Sequence, residues 1–110
     1  MSRPQARVFA VCALLVACKG DGVGTEVEDL ARGCGLAGSA WIESSGQLGL
    51  GDARALGDQS ERELLDGCKA GQPVKTCCAA YKGVAGRLTK LGGQVAACEK
   101  LGARLQSLGC

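Results

Sequence analysis

The sequence contains no histidine, and this absence removes several kinds of active site. Ser-His-Asp and Cys-His catalysis need an imidazole base, and histidine metal sites need an imidazole ligand. The chain also lacks Ser-x-x-Lys and Cys-x-x-Cys motifs, which disfavours a Ser–Lys nucleophile, a thioredoxin-like redox site and a paired-thiolate zinc site. We therefore expect a protein that is not an enzyme, with no catalytic residue, metal or cofactor.

Aromatic residues are scarce, since Phe9, Trp41 and Tyr81 are the only ones. The 110 residues suffice for one small domain, and 18 glycines leave few large side chains for its core. A core of this kind buries too little surface to be stable without covalent links. The eight cysteines can supply those links, and Trp41 is expected to fill the core.

The N-terminus has the features of an export signal. Arg3 and Arg7 precede an uninterrupted apolar run over residues 8–17. Such a run is too short to span a bilayer, which needs about twenty residues, but it is typical of a secretory signal. An ordinary secretory signal, cut after Ala17 with Cys18 left as a free thiol, is one interpretation.

The run ends in Leu15-Val16-Ala17-Cys18, which resembles the lipobox of bacterial lipoproteins. The resemblance covers about the first 19 residues. It implies a signal peptide over 1–17 and a mature N-terminal Cys18 that carries a thioether-linked diacylglycerol and an amide-linked acyl chain such as palmitate. Several acyl chains give stable attachment to a lipid bilayer.

The same resemblance implies a location in the bacterial cell envelope. Lys19 stands where an Asp signals retention at the inner membrane in some lipoproteins, so we expect the outer membrane, facing the periplasm. Residues 18–24 contain three glycines and no periodicity, and are expected to form a lipidated, flexible tether. The Cys-rich domain would then span 25–110.

The cysteine count fits lipidation. If Cys12 leaves with the signal peptide and Cys18 carries lipid, an even set remains, which suits three disulfides in an exported protein. These are Cys34, Cys68, Cys77, Cys78, Cys98 and Cys110. Secretion without lipidation would leave one more thiol.

Local signals predict helices through the domain. Thr25 to Glu28 form a capping box that predicts a helix over 26–34, and a short helix near 52–57 is a weaker candidate. Ser60 to Glu63 form a second box, whose helix would end at Gly71 and Pro73. Thr76 would cap the next helix.

Apolar residues then recur at helical spacing from Cys77 to Leu108, as one long helix or two. In one rod, Cys78 and Cys98 would lie about 30 Å apart, beyond the roughly 7 Å limit of a disulfide. A hairpin turning at Gly92-Gly93, with residue i facing 185 − i, brings Cys77 near Cys110 instead. We prefer the hairpin.

The hairpin predicts a disulfide pairing. One of Cys77 and Cys78 would bond to Cys68 and the other to Cys110, because neighbours on a helix point about 100° apart. Cys34 would then bond to Cys98. The pairs Cys68…Cys77 and Cys98…Cys110 slightly resemble cysteine-rich Sel1-type helical repeats, whose disulfides close helix hairpins, but their unequal spacings depart from that pattern. The expected fold is all-α: a small disulfide-stapled helical bundle with a C-terminal helical hairpin.

Charge is divided between the two halves of the chain. Residues 20–66 carry ten acids and three bases, a net of −7, whereas residues 67–110 carry one acid and seven bases, a net of +6. The halves can attract each other within one fold, or a basic face can bind an anionic partner. Candidates for that face are Lys75, Lys82, Lys100 and Arg104.

Two functions follow. The first is a membrane-anchored, non-catalytic structural or protein-interaction module that binds an envelope protein or polymer. The second is a binding protein whose basic face holds an anionic envelope component such as lipid, lipopolysaccharide or cell-wall polymer. No nucleic acid is expected as a partner.

Overall fold

The structure, a computed structural model, describes the backbone of residues 15–110 and the side chains of residues 23–110. These residues form four α-helices and no strand. The helices are α1 (Leu15–Ser45), α2 (Leu50–Gly67), α3 (Val74–Lys90) and α4 (Ala96–Ser107). The expected all-α fold is therefore confirmed, while residues 1–14 of the predicted signal peptide lie outside the described residues.

The four helices pack as a ring. α1 packs against α2 and α4, and α3 packs against the same two helices, so α1 and α3 lie diagonally opposite. Two ion pairs show that α1 runs antiparallel to its neighbours. Glu43 near the end of α1 pairs with Arg54 near the start of α2, and Glu26 in the first half of α1 pairs with Arg104 near the end of α4. The connections at 46–49, 68–73 and 91–95 are short, as in antiparallel helix bundles.

Aliphatic side chains and cysteines fill the space between the helices. The side chains of Ile42, Leu64 and Leu101 have no solvent exposure, and Val84 and Leu105 have almost none. Each helix contributes at least one of them, so the core is shared by the whole ring. Trp41, which we expected to fill the core, instead lies half-buried at its edge.

Three disulfides connect the helices, in the pairing expected from the sequence. Cys34 bonds to Cys98 and Cys68 to Cys77, each with a Cα–Cα distance of 4.4 Å. Cys78 bonds to Cys110 over 6.0 Å. Of the two adjacent cysteines, Cys77 therefore bonds to Cys68 across the α2–α3 loop, and Cys78 bonds to the C-terminal Cys110.

The last part of the chain is a hairpin and not a rod. α3 ends at Lys90, and Gly92 takes a left-handed backbone with φ +82°, which glycine adopts without a steric penalty. α4 then begins at Ala96. The turn lies at the position predicted from Gly92-Gly93.

The first helix is longer than predicted. The helix expected over 26–34 is part of α1, which begins at Leu15, so Thr25 lies inside a helix and is not an N-cap. Residues 18–24, expected to be a flexible tether, also belong to α1. Packing explains why the helix continues past residue 34, because Val27, Ala31 and Ile42 form one buried stripe along it. The division into signal peptide, tether and domain stays a prediction.

The second and third helices correct the other two predicted caps. Thr76 lies inside α3, whose N-cap is Pro73. α2 runs from Leu50 through Ser60 to Gly67, so the candidate helix at 52–57 and the helix expected after Ser60 are one element. Ser60 is buried, and its hydroxyl accepts a hydrogen bond from Arg87 Nη1 at 2.8 Å. The Ser60 hydroxyl, which we predicted to cap its own helix, therefore bonds to a side chain of another helix.

Close contact between α2 and α3 depends on a glycine. A Cβ built on Gly67 would lie 2.6 Å from the Ala80 Cβ and 3.3 Å from the Thr76 carbonyl oxygen. Neither atom can turn away by a rotamer change, since one is fixed to the backbone and the other belongs to it. A side chain at 67 would therefore push the two helices apart.

We predict that Gly67→Ala lowers the free energy of unfolding by about 1–3 kcal/mol, the usual cost of overpacking. Gly86→Ala is the matched control, because a Cβ added to Gly86 within α3 would have no neighbouring atom within 4 Å, and alanine favours the helix by about 1 kcal/mol. Guanidinium unfolding of the oxidised variants measures both. Equal stability of the two variants would contradict the packing described, and Ala80→Gly should partly rescue Gly67→Ala.

Candidate functional site

A cleft lies between α3 and α4. The two helices are joined at one end by residues 91–95 and near the other end by the Cys78–Cys110 disulfide. Between these ends, Tyr81 of α3 lies against Gly102 of α4, where any Cβ would overlap the tyrosine hydroxyl. An aromatic ring therefore separates the two helices where small side chains would let them meet.

Two cavities open along this cleft, and both are bordered by Cys78, Lys82 and Cys110. The first, the Tyr81 cavity, has a volume of about 460 Å³ and is also lined by Tyr81, Glu99, Gly102, Ala103, Leu105 and Gln106. The second, the Lys75 cavity, has a volume of about 610 Å³ and is also lined by Pro73, Val74, Lys75, Ala79, Leu108 and Gly109. Ligand sites in proteins usually measure about 300–1,000 Å³, so either could hold a small molecule.

The two cavities differ in charge. Glu99 and Lys82 both border the Tyr81 cavity, so its lining carries charges of both signs. The lining of the Lys75 cavity holds two lysines, Lys75 and Lys82, and no acidic side chain. These lysines are seven residues apart on α3, about two helical turns, and therefore share one face. The Lys75 cavity combines apolar walls with positive charge.

The structure brings two of the four candidate cations together and separates the other two from them. Lys75 and Lys82 border the Lys75 cavity, while Lys100 lies about 160° around α4 from Gly102, away from the cleft. Arg104 bonds to Glu26 of α1, with Nη2 and Nε 3.0 and 3.1 Å from its carboxylate oxygens. The four do not form one continuous basic face. Anion binding stays a prediction for each of them.

Two ion pairs join the acidic half of the chain to the basic half. Arg104 binds Glu26, and Arg87 lies 3.2 Å from Glu63 while it also donates to Ser60. Arg87 is only 23% exposed, so this contact is better shielded from water than a surface pair. Both pairs favour the interpretation in which the two halves attract each other within the fold.

Sequence reasoning did not find the cleft or Tyr81's part in it. Tyr81 belongs to the apolar stripe, which indicated only that it faces other helices. The hairpin register pairs residue 81 with 104, two residues from its actual neighbour Gly102. The one signal in the sequence for this cleft was therefore the hairpin register, which places an aromatic residue close to a glycine on the opposite helix.

Two further properties concern the described residues alone. Residues 23–110 contain no group of three or more Cys, Asp or Glu side chains arranged to hold a metal ion. None of the four helices, over its described residues, is long and apolar enough to cross a bilayer.

Comparisons with known proteins provide no further assignment. No protein-family model, no curated protein and no solved structure matches this chain.

The three disulfides differ in exposure, which predicts different reactivity. Cys34, Cys98, Cys68 and Cys77 are at most 5% exposed, whereas Cys78 is half-buried and Cys110 is exposed. Exchange requires a thiolate to reach a sulfur atom, so access limits its rate. We predict that mild reductant without denaturant opens the Cys78–Cys110 bridge first.

Limited reduction, alkylation and peptide mass mapping would measure this order. The protein unfolded in guanidinium is the control, since its six cysteines at 34–110 should then react together. Earlier labelling of Cys34 or Cys98 in the folded protein would contradict the burial described.

Proposed function

We propose that this chain is a bacterial envelope lipoprotein, anchored through acylated Cys18, whose domain is a non-catalytic structural or protein-interaction module. One observation carries the proposal: the three disulfides use all six cysteines from residue 34 onward. The domain therefore does not need the lipobox cysteine to complete its covalent links. Disulfides also suit an exported protein, because thiols stay reduced in the cytosol.

The proposed role as a module follows from the same covalent links. Three of the four helices carry a disulfide cysteine, and Cys68 directly follows the other helix, α2, which suits a domain that presents a fixed surface. The lack of histidine and of Ser-x-x-Lys and Cys-x-x-Cys motifs supports a non-catalytic role. The proposed location is the outer membrane, facing the periplasm, with an envelope protein or polymer as partner.

We predict that the Cys18→Ser protein carries no lipid and is lost from the membrane fraction, because position 18 no longer has a thiol to accept the diacylglycerol. Membrane fractionation and intact-mass analysis of the mature N-terminus measure this result. Cys12→Ser is the matched control, since the lipobox assigns Cys12 to the discarded leader and its loss should leave the anchor intact. A Cys18→Ser protein that still carries lipid would refute the proposal.

A second candidate function is the binding of an anionic envelope component. The observation that favours it is the Lys75 cavity, where two lysines border one apolar depression without an acidic neighbour in its lining. Lipid, lipopolysaccharide and cell-wall polymers all carry anionic groups that such a site could hold. This function is compatible with the anchor and does not require it.

We predict that the mature protein, kept in non-ionic detergent, binds a sulfated dextran resin at low salt and elutes by several hundred millimolar salt. Charge–charge contacts are screened over about 3 Å at 1 M salt, whereas apolar contacts persist. Lys75→Gln/Lys82→Gln should elute at lower salt than the control Arg62→Gln/Lys90→Gln, which removes the same charge from exposed positions outside the four candidate cations. Retention that salt does not affect would contradict anion binding.

A further inference from the structure

We propose that the Lys75 cavity binds a single-chain amphiphile with an acidic head group, of the fatty-acid type. This inference rests on the second candidate function and names its ligand class. It does not require the lipid anchor. Three properties of the cavity carry it: its apolar wall, its charge and its place in the fold.

The apolar wall suits a hydrocarbon chain. Pro73, Val74 and Ala79 of the α3 side face Leu108 of the α4 side, and the Cys78–Cys110 disulfide borders the space between them. A volume of about 610 Å³ matches an ordinary small-molecule site, which favours one chain over a larger lipid. Apolar surface that a chain covers is removed from water, which favours binding.

The charge suits an acidic head group. Lys75 and Lys82 border the cavity, both are exposed, and neither forms an ion pair within residues 23–110. The cavity also includes the first residues of α3, whose Pro73 N-cap provides no side-chain hydrogen bond. The first backbone N–H groups of a helix lack partners within it and attract negative charge. A carboxylate there would gain the Lys75 ammonium group and the positive end of a helix, with Lys82 about two turns further along the same face.

The place in the fold suits a ligand that comes from a membrane. The start of α3 lies at the same end of the bundle as residues 23 and 24, because Val23, Gly24 and Val74 line one depression. A Cβ at Gly24 would lie 3.4 Å from the Ala70 Cα in the α2–α3 loop. If Cys18 is acylated, as proposed, this end of the bundle is the one nearest the lipid. This step alone rests on the anchor.

Native mass spectrometry of the mature protein in a short-chain non-ionic detergent would test the proposal, with laurate as the probe. We expect one laurate to bind per protein molecule. Dodecanol, which has the same hydrocarbon chain without the charge, should bind at least about tenfold more weakly. Binding of laurate and dodecanol with equal affinity would overturn the acidic head group. Failure of laurate to bind at millimolar concentration would overturn the proposal entirely.

Variants assign the binding to this cavity. Lys75→Gln/Lys82→Gln should weaken laurate binding about tenfold or more, while Arg62→Gln/Lys90→Gln should leave it unchanged. Ala79→Trp should block the apolar wall with both lysines in place, and exposed Ala79 tolerates the change without a core defect. Equal effects of the two double variants, or unchanged binding in Ala79→Trp, would place the site elsewhere and overturn the proposal.

The resin experiment separates this inference from the function on which it rests. If salt-sensitive retention depends on Lys75 and Lys82 but laurate does not bind, the anion-binding function stands and the fatty-acid ligand is wrong. If neither occurs, both are wrong. The result of Cys18→Ser bears on neither outcome, because the laurate test uses the mature protein whether or not it carries lipid.

Discussion

The bundle depends most on the buried bond between Cys34 and Cys98. It joins α1 to α4, which are neighbours in the ring although 64 residues separate the two cysteines. The other adjacent pairs of helices are consecutive in sequence, so short loops already hold them together. A link across this separation removes about 4 kcal/mol of chain entropy from the unfolded state. In a core with few large side chains, such a contribution is a substantial part of the stability that a small domain has.

Much of the fold could be predicted from the sequence where several constraints coincided. The hairpin of α3 and α4 followed from apolar periodicity, a glycine pair and the reach of a disulfide. The expected pairing agreed with all three bridges, but the register placed Cys77 near Cys110, where the structure has Cys78. The extents of α1 and α2 could not be predicted in this way. Glycines such as Gly35 and Gly57 disfavour a helix by about 1 kcal/mol each, yet they are buried where α1 and α2 approach each other. Local propensity and tertiary packing gave opposite signals there, and packing determined the structure.

The candidate site was harder to predict than the fold. Lys75 and Lys82 could be named because they lie away from the apolar stripe, but a cavity is space left between helices. Here that space depends on how far Tyr81 and the Cys78–Cys110 bond hold α4 from α3. Arg104 illustrates the same limit, because its partner Glu26 lies 78 residues away in sequence. Periodicity can assign a side chain to a face of its own helix, but it does not identify what lies opposite.

The three disulfides together span every connection between the helices. The loop at 46–49 lies between Cys34 and Cys98, the loop at 91–95 lies within that bridge and within Cys78–Cys110, and residues 69–76 are also enclosed by Cys68–Cys77. A protease that cut any one of these loops would leave two pieces that remain covalently joined. The oxidised bundle is therefore one covalent molecule even when its backbone is cut, and the segments of all four helices stay attached to one another.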